Sequence, residues 1–232
     1  MNAENKKTTF RLDLKDDFIS KNIQYYIAEK IIPVDSTKSY NKSNIKMVDN
    51  FAAHLFPQIE VKKHGPLIDE IEFTGIASTI KWCVSYPGLH EYNGRAFNSG
   101  FKTSTHESQD FEATGKLCDL GLGYFNDITI PIYRCGFEIT FTRNNDNNAI
   151  FRWKRLKIDG TEDPSTLPVE GKVIISTFYL RLPIIEYSSE AKTNLINDLF
   201  KENYIFQFKK WQFIQHMKVT GKSLILISLI FI

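Results

Sequence analysis

Short segments in which apolar and polar residues alternate constrain this chain most strongly. In residues 58–63 the polar residues Gln58, Glu60 and Lys62 alternate with Ile59, Val61 and then Lys63, which is the pattern of a strand with one buried and one solvated face. The tripeptide His-Gly-Pro at 64–66 follows, and glycine and proline together favour a tight turn. A second extended run occupies residues 67–73. The segment therefore predicts a β-hairpin.

Extended runs of this kind, bounded by turn-forming residues, recur along the chain and predict eight strands. They are residues 9–14, 22–32, 45–56, 58–63, 67–73, 127–133, 136–143 and 172–183. In the seventh run, Phe137, Ile139 and Phe141 fall on one face. Residues 144–148 (NNDNN) tolerate left-handed backbone and predict the tip of a hairpin.

Two helices are predicted between these strands. Residues 75–86 place Ile76, Ile80, Cys83 and Val84 on one side, and residues 188–201 open with a serine cap before an apolar stripe. Residues 88–117 and 153–171 are polar and predict long loops. Eight strands, two short helices and long loops indicate a mainly β fold, a jelly-roll β-sandwich whose Greek-key path needs long crossovers.

Composition excludes several classes of protein. A net charge of +2 gives no indication of a nucleic-acid-binding surface. The three cysteines lie too far apart for a CxxC knuckle and are odd in number, which favours unpaired thiols in a reducing compartment. The N-terminus lacks the apolar core of a secretory signal, and we expect a protein that is not secreted. The apolar run 224–232 has nine residues, about half of the ~20 needed for a membrane span.

No segment carries a recognisable catalytic motif. The five histidines never fall at zinc-ligand spacings, although His90 with Glu91 and His106 with Glu107 could meet in space. Cys83 is predicted to be buried on the apolar side of its helix, where a thiol is unreactive. We therefore predict no catalytic residue, no cofactor-binding residue, no metal ligand and no cofactor, and a protein that is not an enzyme.

Four segments resemble the double jelly-roll major capsid proteins of polinton-like and adintovirus-like elements. They are 48–71 (VDNFAAHLFPQIEVKKHGPLIDEI), 123–150 (GYFNDITIPIYRCGFEITFTRNNDNNAI), 172–192 (KVIISTFYLRLPIIEYSSEAK) and 208–223 (FKKWQFIQHMKVTGKS). Their order and spacing agree with the family across residues 22–223. The resemblance implies the first half of a double jelly roll and a structural subunit that self-assembles.

The resemblance also implies an organisation and a set of partners. Residues 1–21 would be an N-terminal arm, 22–187 a jelly-roll domain, 188–203 a linker helix, and 204–232 a truncated start of a second jelly roll. The partners would be other copies in a homo-trimer and capsid lattice, with a penton or minor capsid protein. We expect the protein in a virion if it assembles; a truncated or degenerate host-integrated copy would remain in the cytoplasm or nucleus.

Two alternatives remain open. A β-sandwich module that binds glycans or nucleic acid would place the aromatic residues and lysines of 208–218 on one exposed face. A metal-dependent enzyme of the cupin type would bring histidine and glutamate side chains together inside the barrel.

Overall fold

The structure, a computed structural model, describes residues 6–33, 45–85, 110–143, 150–152, 171–201 and 207–210. The strands are β1 (Lys6–Asp13), β2 (Phe18–Ile19), β3 (Gln24–Pro33), β4 (Ile45–Met47), β5 (Gln58–Lys63), β6 (Leu67–Glu72), β7 (Asp110–Lys116), β8 (Ile132–Tyr133), β9 (Gly136–Arg143), β10 (Ile150–Arg152), β11 (Gly171–Arg181) and β12 (Ile184–Ile185). The helices are α1 (Phe51–His54), α2 (Thr74–Ser85), α3 (Gly123–Asp127) and α4 (Ser189–Lys201), with a 3-10 turn at Leu117–Leu120.

Two antiparallel sheets form the body of the molecule. The larger has the strand order β1-β9-β5-β6 and the second has the order β11-β3-β7. β1 pairs with β9 and β3 pairs with β11, so strands far apart in sequence lie side by side. Such crossovers are those of Greek-key sandwiches. The predicted fold class, a mainly β sandwich of jelly-roll type, is confirmed, whereas most residues of the predicted long loops lie outside the described part of the chain.

The two sheets face each other across a cluster of four phenylalanines, Phe10, Phe56, Phe141 and Phe178. The ring of Phe178 in β11 lies 4.9 Å from that of Phe141 in β9 and 5.0 Å from that of Phe10 in β1, both edge to face. Aliphatic side chains from both sheets continue the same core. Edge-to-face aromatic pairs stabilise beyond the area they bury, so this cluster helps to join the two sheets.

The predicted hairpin at residues 58–73 is confirmed. β5 and β6 pair antiparallel, and the backbone N–H of Lys63 donates to the carbonyl of Pro66 at 2.9 Å. His64 and Gly65 have φ of 51° and 104°, the left-handed conformation that the turn requires. The two predicted helices are also present, as α2 and α4, and Ser188 caps α4 by accepting the N–H of Ala191.

Two predicted strands and one predicted loop are wrong in part. Of residues 45–56 only β4 is a strand, because Asn50 adopts φ of 59° and the chain then turns into α1. Of residues 127–133 only β8 is a strand, since α3 extends to Asp127. The predicted loop 88–117 contains β7, which pairs with β3. β7 has few apolar residues and no alternating pattern, so its own sequence does not predict a strand; it is a strand because it pairs with β3.

The predicted hairpin between β9 and the segment after it is also wrong. β9 already has β1 on one edge and β5 on the other, and a strand has only two edges, so β10 pairs with β4 instead. The predicted tip, residues 144–148, lies outside the described residues. Residues 6–13, predicted as part of an N-terminal arm, form the edge strand β1 of the larger sheet. Among the described helices, none is both long and apolar enough to span a membrane.

Candidate functional site

Helix α2 buries polar side chains together with Trp82, and it exposes a group of apolar side chains on its outer side. Thr74, Ser78 and Lys81 are buried on the inner side. On the opposite side, Ile76 is 43% exposed and Val84 is 65% exposed, with exposed Cys83 and half-buried Ile80 between them. We call these four outward residues the α2 face. The prediction that Cys83 is buried is therefore wrong.

Asn50 is one cause of this orientation. Its buried side-chain NH₂ group donates to Ser78 Oγ at 2.7 Å and to Thr79 Oγ1 at 2.9 Å, and it lies 3.4 Å from the carbonyl oxygen of Gly75. Most buried polar groups in proteins are hydrogen-bonded, and here the Asn50 side chain supplies partners for Ser78 and Thr79 of α2. Rotating the helix to bury its apolar side would leave these groups without partners.

Lys81 is the second cause. It is only 4% exposed and its ammonium donates to the carbonyl of Cys118 in the 3-10 turn. Burial lowers the pKa of Lys81, and the acidic groups of Cys118 and Asp119 act in the opposite direction. A cation at this depth is costly unless it is hydrogen-bonded. The bond to the turn therefore holds α2 in one rotation.

Close packing between α1 and α2 fixes the same orientation. A side chain at Gly75 would overlap the ring of His54, so the two helices can approach this closely only because residue 75 is glycine. Burial lowers the pKa of His54. This histidine therefore acts as a packed neutral side chain against α2.

Asp69 joins the larger sheet to α3. Its carboxylate is 1% exposed and accepts the backbone N–H of Tyr124 and of Glu70, each at 2.9 Å, with Gly123 as a further backbone donor. Burial raises the pKa of Asp69, and these backbone donors act to lower it. A carboxylate at the start of a helix accepts N–H groups that have no partner within the helix. Its role is therefore structural.

Residues 207–210 lie against α3, and we call them the docked segment. The N–H of Lys209 donates to Asp127 Oδ2 at 2.7 Å. The ring of Phe208 packs edge to face on that of Tyr124, with centroids 5.5 Å apart. A side chain at Gly123 would overlap the carbonyl of Lys209. The chain after α4 thus returns to the sandwich and binds it closely.

Gly123→Ala is expected to loosen the docked segment, because the new methyl group displaces the Lys209 backbone from Asp127. Hydrogen exchange of peptides that contain residues 207–210 should accelerate roughly tenfold, since a hydrogen bond to a carboxylate contributes on the order of 1.5 kcal/mol. Gly136→Ala is the matched control, because its added methyl group would lie 3.5 Å from the nearest atom of His64, an ordinary contact. Equal exchange in both variants would contradict the close contact at Gly123.

The described residues include only part of what the sequence singled out. His54 is half-buried beside α2, and His64 is exposed in the hairpin turn. His90, Glu91, His106, Glu107 and His216 lie outside the described residues. Within the described ranges, no group of three or more His, Cys, Asp or Glu side chains is placed to hold a metal ion.

The surface required by a glycan- or nucleic-acid-binding module is described only at its start. Phe208 is half-buried against Tyr124 rather than presented as a stacking platform, whereas Lys209 is exposed. Residues 207 and 208 belong to no strand, although the sequence between 204 and 208 is strand-like. Residues 211–218 lie outside the described part of the chain.

Comparison with known proteins finds no matching family model and no matching curated protein. Among solved structures, a chain described as "PBCV-1 virus capsid, quasi-atomic model" is similar at 12% identity and a TM-score of 0.42, covering 96% of this chain and 52% of that chain. A second, PBCV-1 VP54 fitted into a cryo-EM reconstruction of the virophage Sputnik, has 11% identity and a TM-score of 0.38, covering 84% and 46%. This chain spans about half the length of the solved chains it matches.

Proposed function

We propose that this chain is a structural, capsid-type subunit of viral or transposon origin that associates with copies of itself. The observation that carries the proposal is the α2 face, an apolar helix surface directed to solvent by the buried polar groups beneath it. Its residues lie at the spacing i, i+4, i+7 and i+8, so they form one continuous stripe along the helix.

A valine or isoleucine side chain contributes about 1.5–3 kcal/mol when it moves from full exposure to full burial, and the partly exposed Ile76 and Val84 contribute a fraction of this when they are covered. Apolar side chains that are grouped on a surface mark interaction sites, whereas scattered ones have no such meaning. The chain maintains this surface through Asn50 and Lys81, whose side chains lie under the helix. A partner that covers the stripe is the simplest use for it.

The resemblance of the sequence to double jelly-roll capsid proteins supports another copy as the partner. In this proposal residues 22–187 form the jelly roll, residues 188–203 the linker helix and residues 204–232 the start of a second jelly roll. Residues of the 1–21 arm add β1 and β2 to the sheets. The copies form a homo-trimer that packs on a capsid lattice in a virion, with a penton or minor capsid protein at special positions, and no residue acts as a catalyst.

Sedimentation velocity over a range of concentrations tests this proposal. The wild-type chain is expected to increase in mass with concentration, and Val84→Asp should weaken association at least ~10-fold, because an unpaired carboxylate in an apolar contact costs more than ~1.4 kcal/mol. The matched control is Ile184→Asp, an apolar residue that is 61% exposed in β12. A wild-type chain that remains monomeric, or two variants that weaken association equally, would overturn the proposal.

A further inference from the structure

We propose that the chain forms a covalent bond within itself, an isopeptide bond between the side-chain nitrogen of Lys81 and the side-chain carboxyl group of Asp119. The bond joins α2 to the 3-10 turn at Leu117–Leu120. This inference is independent of the proposed function, because both groups belong to one chain and react without a partner.

Lys81 and Asp119 lie on the two sides of the contact between α2 and the 3-10 turn, where water has little access. Lys81 is 4% exposed and Asp119 is 5% exposed. The Lys81 ammonium donates to the carbonyl oxygen of Cys118, the residue next to Asp119. Leu117 and Leu120 of the same turn are buried as well. The amine and the carboxyl group are therefore held beside each other in nearly dry, apolar surroundings.

A lysine and a carboxylate that are both buried have a chemical alternative to a salt bridge. The cost of removing two charges from water can exceed their mutual attraction, whereas an amide carries no charge. Burial lowers the pKa of Lys81 and so favours its uncharged amine, which is the nucleophilic form. Four acidic groups act on this pKa in the opposite direction: Cys118, Asp119, Asp127 and Asp69.

The reaction balances without any co-reactant. A proton passes from the Lys81 ammonium to the Asp119 carboxylate, which gives an amine and a carboxylic acid. The amine nitrogen attacks the carboxyl carbon, so that a carbon–nitrogen bond forms and the bond from that carbon to its hydroxyl oxygen breaks. The hydroxyl group leaves as water with a proton from the nitrogen. An ammonium and a carboxylate are thus converted into one amide and one water.

The surroundings of Asp119 assist this step. The backbone N–H of Lys116 donates to Asp119 Oδ2 at 3.1 Å. Negative charge develops on a carboxyl oxygen when the nitrogen attacks, and a fixed N–H donor at that oxygen stabilises it. Groups that are held in place by folded elements also react faster than the same groups in solution. Exclusion of water protects the amide from hydrolysis.

Mass spectrometry of the intact full chain tests the proposal. The purified wild-type chain is expected to weigh less than its sequence by the mass of one water, also after denaturation and reduction, because an amide survives both treatments. A trypsin digest should contain a branched peptide in which Lys81 and Asp119 are joined. The fragment spectrum of that wild-type peptide identifies the linked residues even where a variant fails to fold.

Lys81→Met and Asp119→Ala should each have the full mass of their own sequence. The matched control lies within the same digest: Lys62 Nζ is 3.8 Å from Glu60 Oε2, but this pair is partly exposed to water and should show no link. A wild-type chain of full mass, or a link from Lys81 to a carboxyl group other than that of Asp119, is incompatible with the proposal. A link between Lys62 and Glu60 in equal yield would also refute it, since burial would then not be the cause.

Discussion

Phe141→Ala is expected to lower the free energy of unfolding by about 3–5 kcal/mol, the range for removing a large aromatic side chain from a packed core. Phe141 is buried and its ring contacts those of Phe10, Phe56 and Phe178 at centroid distances of 5.9, 5.1 and 4.9 Å. These contacts join the two sheets. Alanine would leave a cavity that neither sheet can close without breaking its own pairing.

Urea denaturation followed by tryptophan fluorescence measures this loss, with the slope of the transition as a check that the unfolded state is unchanged. Tyr179→Ala is the comparison, because Tyr179 lies on the neighbouring position of β11 and stacks on Tyr26 at 4.8 Å while remaining half-exposed. That variant should lose only ~1 kcal/mol. If Phe141→Ala cost no more than Tyr179→Ala, the sheets would not be joined through the aromatic cluster.

Asp69→Ala is expected to lower the free energy of unfolding by about 3 kcal/mol, because it removes the acceptor of several backbone N–H groups in a buried position. The donors include Tyr124 at the start of α3, so the loss should detach that helix from β6. Asp69→Asn keeps one acceptor oxygen and should lose about half as much. Equal losses in the two variants would show that packing, rather than these hydrogen bonds, determines the contribution of Asp69.

The raised pKa of Asp69 predicts how the difference in unfolding free energy between the wild type and Asp69→Asn changes with pH. Below the unfolded value of 3.8 the carboxyl group is protonated in both states. Between 3.8 and its higher native pKa the folded state binds more protons than the unfolded state, so stability falls as pH rises. The stability difference between the wild type and Asp69→Asn should therefore decrease as pH rises through this window. A difference that grew with pH would mean that the native pKa is lowered.

Local signals predicted the parts of the fold that depend on local chemistry. β5 and β9 begin and end at the residues that the alternation predicted, because a two-residue period and a flanking turn are properties of neighbouring residues. Pairing partners were not predictable in this way. β10 pairs with β4 across more than 100 residues, and β7 pairs with β3 without an alternating pattern that would identify it.

In the candidate site, too, features set by neighbouring residues were predictable and features set by distant residues were not. The spacing of Ile76, Ile80, Cys83 and Val84 correctly grouped them on one side of α2, since that depends only on helical geometry. Their direction depends on Asn50 and on the carbonyl of Cys118, which lie 28 residues from Ser78 and 37 residues from Lys81 respectively. The usual expectation that an apolar stripe faces the core therefore failed. The polar residues Ser78 and Lys81 on the other side of the helix were the only sequence feature used here that indicates this orientation.

The α2 face is exposed to solvent in the single chain, and we propose that it is covered in the assembly. The rate at which each cysteine is alkylated by iodoacetamide, measured by mass spectrometry across a dilution series, tests it most directly. We predict that Cys83 reacts much faster than Cys135 in dilute protein and becomes protected as concentration rises, while Cys135 stays slow throughout. A Cys83 that is as slow as Cys135 at the lowest concentration would contradict the claim, because the α2 face would then be covered within one chain.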